Sequence, residues 1–192
     1  MNISQGNIYS VISAIKKVEP DLIIYQMPLH RECTTDHYIP MMNVAELAKP
    51  GDYFLVISPP YQIPDVIRTL DRSGLNVQTL CHLTRPRKIL IPHMEMINCW
   101  SCLSVAYKPP IQSRTRVMED MIFEERNSNS NMVSYQRDPE THLVEYINLI
   151  GTKGDRIACV YAGIQIDFKV AHQLFDQELK ANRQLFYFNL CF

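Results

Sequence analysis

The segment Cys99-Trp-Ser-Cys102 carries two thiols at a spacing used both by redox pairs and by zinc sites. A redox pair lies at a helix N-terminus, which lowers the thiol pKa, whereas residues 97–107 form an apolar run that predicts a strand. Zinc would need two more ligands, and the local supply is Cys81, His82 and His93. Structural zinc sites usually show two compact ligand pairs and this chain shows one, so we expect buried strand cysteines and no metal.

A group of basic residues could perform a second kind of chemistry, the binding of phosphate groups. These residues are Arg85, Arg87, Lys88, Arg114 and Arg116. Acidic residues close by in the sequence cancel much of the positive field; they are Glu119, Asp120, Glu124 and Glu125. Two interpretations therefore stay open, a local contact with DNA and an ordinary solvated surface.

Composition limits the class of protein. The chain has 192 residues, 46% of them hydrophobic, so residues 1–192 are expected to fold as a single domain. Its net charge of -1 provides no overall positive field, so any DNA contact must be local. No apolar run approaches the roughly 20 residues that cross a bilayer, and the first residues lack the layout of a signal peptide. We expect an intracellular protein without membrane contact, with its six cysteines reduced.

The elements that would position these residues are predicted from apolar spacing and turn residues. Strands are predicted at residues 2–6, 21–25, 53–57, 75–83, 97–107, 156–161 and 185–190. Helices are predicted at residues 7–18, 41–48, 63–73 and 138–147 and from 162 onward, with polar or basic turns at 30–37 and 84–88. Residues 108–134 form a polar insertion. This alternation implies an α/β fold with a mostly parallel, twisted sheet and helices on both faces.

The order of elements resembles that of the DNA methyltransferases that modify the amino group of adenine or cytosine, in the permuted subclass that places its cofactor loop last. Asp21-Leu-Ile-Ile-Tyr-Gln-Met-Pro-Leu29 stands where the family has Asp-x-Ile-x-x-Asp-Pro-Pro-Tyr. Gly6-Asn7 stands for a Gly-Asp pair, and Lys153-Gly-Asp155 for a Pro-Gly-Asp turn. The resemblance covers nearly the whole chain. It implies the Rossmann-like fold of the S-adenosylmethionine-dependent methyltransferases.

The resemblance also implies a degenerate catalytic loop. The family's Asp accepts a hydrogen bond from the target amine, while the prolines and the aromatic ring hold the flipped-out base. The corresponding residues here are Gln26, Met27, Pro28 and Leu29. Gln26 has an acceptor oxygen but no charge, and Leu29 replaces the stacking ring with an aliphatic side chain. No methyl transfer is expected from this loop.

The cofactor pocket implied by the resemblance is degenerate as well. The family uses a turn of the form Asp-x-Phe-x-Gly-x-Gly, and an acid that pairs with the ribose hydroxyls of S-adenosylmethionine. Those places hold Cys159, Tyr161, Gly163, Gln165 and Asn189. Several independent losses of about 1 to 3 kcal/mol each would weaken binding by orders of magnitude. No cofactor is therefore expected.

Ser58-Pro59-Pro60-Tyr61 is a competing candidate for the catalytic loop, because it literally matches the tetrapeptide of some family members and follows a predicted strand. Under this alternative the chain is a divergent but active enzyme that uses S-adenosylmethionine. Placing the catalytic loop at Ser58–Tyr61 leaves the first strand-helix-strand unit without a counterpart in the family. A Pro-Pro step after a strand is also a common turn without function.

The favoured hypothesis is a pseudoenzyme. Core periodicity and turn residues still specify the fold, while separate catalytic and cofactor groups are replaced, so function is expected to lie on the surface. The resemblance suggests a protein partner, because inert members of methyltransferase heterodimers can also carry a leucine where this chain has Leu29. That partner would be a methyltransferase-like subunit or a second copy of the chain, with DNA as another possibility.

Overall fold

The computed structural model describes residues 3–27, 35–84, 88–91, 94–97, 100–110, 154–163 and 183–191. The strands of this part are β1 (Ile3–Gly6), β2 (Leu22–Gln26), β3 (Tyr53–Ser58), β4 (Asn76–Thr84), β5 (Lys88–Ile91), β6 (Met94–Ile97), β7 (Trp100–Tyr107), β8 (Arg156–Ala162) and β9 (Gln184–Leu190). Its helices are α1 (Ile8–Val18), α2 (Thr35–Ala45) and α3 (Ile63–Arg72), the last preceded by a single 3-10 turn, Pro60–Gln62.

Seven of the described strands form one sheet in the order β1-β9-β8-β2-β3-β7-β4. The pairs from β1 to β3 are all parallel, and β7 runs antiparallel to both of its neighbours. Every residue of β3 is buried, as is every residue of β8 after Arg156. Continuous apolar strands of this kind are typical of a parallel sheet that is covered on both faces. The predicted α/β fold with a mostly parallel sheet is confirmed.

The three described helices pack on one face of the sheet. Their apolar residues form a single core with alternate residues of the strands, among them Val11, Ile15, Met41, Val44, Val66, Leu70, Ile23, Val56 and Val160. The opposite face is buried too, including Leu22, Leu55 and Tyr187. The helix predicted from residue 162 onward does not begin there, because Ala162 is the last residue of β8 and continues its parallel pairing with β9. Residues 138–147, predicted as a helix, and residues 164–182 lie outside the described residues, as does most of the insertion predicted at 108–134.

Two further local predictions differ from the structure. α2 begins at Thr35, within the predicted polar loop 30–37, because the polar start of this helix and Pro40 hide its apolar spacing. Lys88, predicted to lie in a basic turn, is the first residue of β5. β5 pairs with β6 as a separate antiparallel hairpin between β4 and β7. The sequence signal for this hairpin is two short apolar runs separated by Pro92-His93.

Candidate functional site

The carboxyl ends of β2 and β8 mark the point where the sheet changes its direction of winding. The chain leaves β2 toward β3 on one side, and it continues from β8 to β9 on the other side. Ligands of open α/β sheets bind in the crevice outside the strand ends at such a switch point. The residues that close these two strands are Gln26-Met27 and Ala162-Gly163.

The strand register brings four side chains into one row at this end of the sheet, which we call the carboxyl row: Gln5, Asn189, Tyr161 and Gln26. Gln26 is the register partner of Tyr161, Tyr161 of Asn189, and Asn189 of Gln5. Neighbouring members are therefore about 4.8 Å apart along the hydrogen-bonding direction. Tyr161 is 3% exposed, Gln26 and Asn189 are half-buried, and Gln5 is exposed.

Three members of the carboxyl row were predicted from sequence as site residues, and the structure brings them together. Gln5 was missed. The signal that could have found it is its position directly before Gly6-Asn7, at the end of a predicted strand. Its amide nitrogen donates to the Sγ of Cys191, 3.4 Å away, which links the ends of β1 and β9.

No acidic side chain stands among the described residues that close β1, β2, β8 and β9. Three carboxylates lie instead at the opposite, amino end of the sheet. Asp21, Asp52 and Asp155 directly precede β2, β3 and β8 there. There Glu19 lies 3.0 Å from Lys49. The hydrogen bond and charge of Lys49 lower the pKa of Glu19 below its ordinary value of 4.5. Charge is thus concentrated at the edge of the sheet away from the carboxyl row.

Asn7 stands in the place of an acid in the resembled family, and its role here is structural. Its side-chain oxygen accepts a hydrogen bond from the backbone N–H of Ser10 at 3.1 Å, which caps the N-terminus of α1. A Cβ atom added to Gly6 would collide with the side-chain oxygen of Ser10. The chain therefore turns tightly from β1 into α1 at the edge of the site.

The turn that follows β8 keeps one glycine of the resembled pattern. Gly163 has a φ of 65°, which side chains with a Cβ adopt only with strain, and its N–H donates to the carbonyl of Leu190 at 2.9 Å. Cys159, in the place of the family's first acid, is 2% exposed and lies between Ile24 and Tyr187 in the register. It therefore belongs to the body of the sheet rather than to the carboxyl row.

Ser58-Pro59-Pro60-Tyr61 closes β3, one strand away from Gln26. Ser58 is fully buried, while Tyr61 is 60% exposed in the 3-10 turn that precedes α3. Ile57, not Ser58, is the register partner of Gln26. This tetrapeptide therefore lies beside the switch point, whereas the loop that begins after Gln26 starts at the switch point itself.

Several predicted site residues lie outside the described part of the chain: Pro28, Leu29, Arg85, Arg87, Arg114, Arg116 and Gln165. The same holds for Cys99 and His93 of the zinc alternative. In the part that is described, no group of three or more His, Cys, Asp or Glu residues could hold a metal ion. None of the helices described is long and apolar enough to span a membrane.

Comparison with solved structures identifies the fold. The DNA methyltransferase M1.HpyAVI is similar to this chain with a TM-score of 0.67 and 12% identity, over 99% of this chain and 92% of that one. The structure of its complex with S-adenosylmethionine is similar with a TM-score of 0.68 and 10% identity, over 100% of this chain and 95% of that one.

TTHA0409 of Thermus thermophilus is a candidate DNA modification methylase. The structure of its complex with S-adenosyl-L-methionine is similar to this chain with a TM-score of 0.64 and 12% identity, over 99% of this chain and 88% of that one. No protein-family model and no curated protein matches the chain by sequence. Identities at this level identify architecture rather than activity. The chain has the Rossmann-like α/β fold of the S-adenosylmethionine-dependent methyltransferases.

Proposed function

We propose that this chain is a catalytically inactive protein with a methyltransferase fold that acts by binding a partner. The observation that carries the proposal is the neutral carboxyl row. At the strand ends where this fold binds ligands, the described residues provide carboxamides, a tyrosine and glycine, and no carboxylate. A fold keeps its architecture through its core, whereas activity requires specific groups at the site.

The start of the Gln26 loop has features of a structural segment. Met27, in the place of the first catalytic proline, is 0% exposed and belongs to the core that contains α1 and α2. Its N–H donates to the carbonyl of Ile57 at 2.9 Å. Gln26 can accept a hydrogen bond from an amine, but a neutral amide leaves less electron density on that amine than a carboxylate would.

The described residues do not fit S-adenosylmethionine as the resembled family holds it. The cofactor carries a sulfonium and an ammonium cation against one carboxylate, so it is positively charged overall, and the described ends of β1, β2, β8 and β9 provide no carboxylate to offset that charge or to pair with its ribose hydroxyls. Asn189 can donate and accept hydrogen bonds with hydroxyl groups, and Gly163 allows close approach of the backbone. These two groups alone favour weak binding at most.

A protein partner is supported by exposed apolar side chains near the carboxyl end of the sheet. Tyr9 in the first turn of α1 is 81% exposed, Ile39 in α2 is 50% exposed, and Tyr61 before α3 is 60% exposed. Aromatic residues of this kind are enriched in protein interfaces. The occupant that we propose is a methyltransferase-like subunit or a second copy of the chain.

The first experiment is isothermal titration of the purified chain with S-adenosylmethionine and S-adenosylhomocysteine. M1.HpyAVI, known in complex with S-adenosylmethionine, is the positive control. We expect no heat of binding for this chain at ligand concentrations that saturate the control. Micromolar binding would contradict the proposal.

Methyl transfer is measured in parallel, with a labelled methyl group on S-adenosylmethionine and duplex DNA as acceptor. We expect no incorporation into DNA. If label is incorporated, Tyr61→Ala and Gln26→Ala distinguish the two candidate loops. Loss of transfer in Tyr61→Ala alone would establish the active-enzyme alternative through Ser58–Tyr61.

Partner binding is tested by light scattering after size exclusion. A second copy as partner predicts a mass above that of one chain for the native sequence, and a single-chain mass for the variant Tyr9→Ser, Ile39→Ser, Tyr61→Ser. A single-chain mass for both sequences would exclude the second copy, and the methyltransferase-like subunit would remain as the proposed partner.

A further inference from the structure

Three polar side chains are buried beside α3 and find no hydrogen-bond partner within the described part of the chain. Ser58, Gln62 and Ser104 are 0%, 2% and 0% exposed. Within the described part of the chain, the two serine hydroxyls and both amide atoms of Gln62 have no partner. Native proteins satisfy nearly all buried polar groups, so each such group requires a physical explanation.

These side chains lie close together. In the antiparallel pair of β3 and β7, Ser58 is opposite Cys102 and Ser104 is opposite Val56. The two serines are therefore diagonal neighbours on one face, with Cα atoms about 7 to 8 Å apart. That face is the one that packs against α3, because Val56 shares a core with Val66 and Leu70. Gln62 is the last residue of the turn Pro60–Gln62, which leads into α3 and contacts β7.

A ligand for this group must be small and must both donate and accept hydrogen bonds. Gln62 supplies one donor and one acceptor atom, and each serine hydroxyl can do both. A larger molecule would have to separate α3 from the sheet to reach a side chain that is only 2% exposed. Water meets these requirements, since a buried water typically makes about three hydrogen bonds to otherwise unsatisfied polar groups.

We propose that ordered water is bound in the seam between the turn Pro60–Gln62, β3 and β7, where it bridges Gln62 to Ser58 and Ser104. The water is then a structural part of the turn, which is closed on its other side by the hydrogen bond from the N–H of Gln62 to the carbonyl of Pro59 at 3.1 Å. The hydrated seam fixes the turn that presents the exposed ring of Tyr61 to solvent.

A crystal structure that resolves ordered water tests the proposal directly. We expect water density about 2.7 to 3.2 Å from an amide atom of Gln62 and within the same range of at least one of the two serine hydroxyls. A seam without density, in a map that shows other buried waters, would overturn the proposal.

The sign of a stability change provides a second test in solution. In a hydrated seam, Gln62→Met removes two partners of the water, and we expect the thermal midpoint to fall by about 2 to 4 °C. In a dry seam the same change removes an unsatisfied amide, and the midpoint rises. Gln184→Met, at the exposed first residue of β9, is the matched control and should leave the midpoint unchanged. A midpoint for Gln62→Met that is unchanged or higher overturns the proposal.

Discussion

Asn7 stands where the resembled family has an acid, and in this chain it caps the N-terminus of α1. Its oxygen caps α1 through the N–H of Ser10 at 3.1 Å. We expect Asn7→Ala to lower the free energy of unfolding by about 1 kcal/mol, and Asn7→Asp to retain the cap. Urea unfolding measures both, with Ser13→Ala on the exposed side of α1 as control. Equal losses for alanine and aspartate would show that the cap does not stabilise the helix.

Glu19 makes stability depend on pH. Lys49 holds the pKa of Glu19 below 4.5, so the folded state binds this proton less readily than the unfolded chain does. The stabilisation is therefore complete above the unfolded value and is lost as pH falls through the folded pKa. We expect Lys49→Met to raise the Glu19 pKa, because the largest cause of its lowering is removed while Arg156 still favours the charged form, and carbon NMR of the side-chain carboxyl group measures the change. Lys16→Met is the control and should leave the Glu19 pKa unchanged. A pKa shift of equal size in Lys16→Met would refute the assignment to Lys49.

The carboxyl row could be predicted from sequence only in part. Gln26 and Asn189 were found because a resemblance assigned them the places of acids, and Tyr161 because the same resemblance placed it in the cofactor turn. Which residues stand side by side depends on strand register, which is set by packing between segments distant in the sequence. For that reason Gln5 was missed, although it is the register partner of Asn189.

The starts of β2 and β8 are linked by a carboxylate. The Oδ2 of Asp21 accepts from the backbone N–H of Arg156 at 2.9 Å and from its Nε at 3.4 Å. We expect Asp21→Ala to lower the free energy of unfolding by about 1 kcal/mol and to speed amide exchange at Arg156. Asp21→Asn keeps an acceptor oxygen and should have the smaller effect. Unchanged exchange at Arg156 in the alanine variant would argue against this link between the strands.

Elements with strong periodicity were predicted well, and elements defined by tertiary context were not. The apolar runs of β2, β3 and β8 identify buried parallel strands directly. The first residues of α2 are polar, and Pro40 suggests a boundary where the helix continues. The hairpin of β5 and β6 was missed because each strand is only four residues long. Runs of that length are too short for apolar periodicity to distinguish two strands from one irregular segment.

For the whole molecule, a net charge of -1 means that DNA binding would depend on local contacts. If Arg85 and Arg87 each contact a phosphate, replacing both with glutamine should reduce the slope of log affinity against log salt by about 1.8. Lys16→Gln with Lys17→Gln makes the same charge change at the exposed end of α1 and serves as control. Fluorescence anisotropy on a labelled duplex measures the slope. The same reduction in both variants would show a general charge effect rather than contacts.

The central position of β2 has a consequence for synthesis of the chain. One side of β2 pairs with β3, which follows closely, but the other side pairs with β8. Asp21 and Arg156, at the start of that pair, are 135 positions apart. At about 5 to 20 residues per second, the ribosome needs roughly 7 to 27 s to supply the missing strand. Throughout this interval the apolar edge of β2 is open to pairing with other chains, so we expect a nascent chain that stops before residue 156 to aggregate or to require a chaperone.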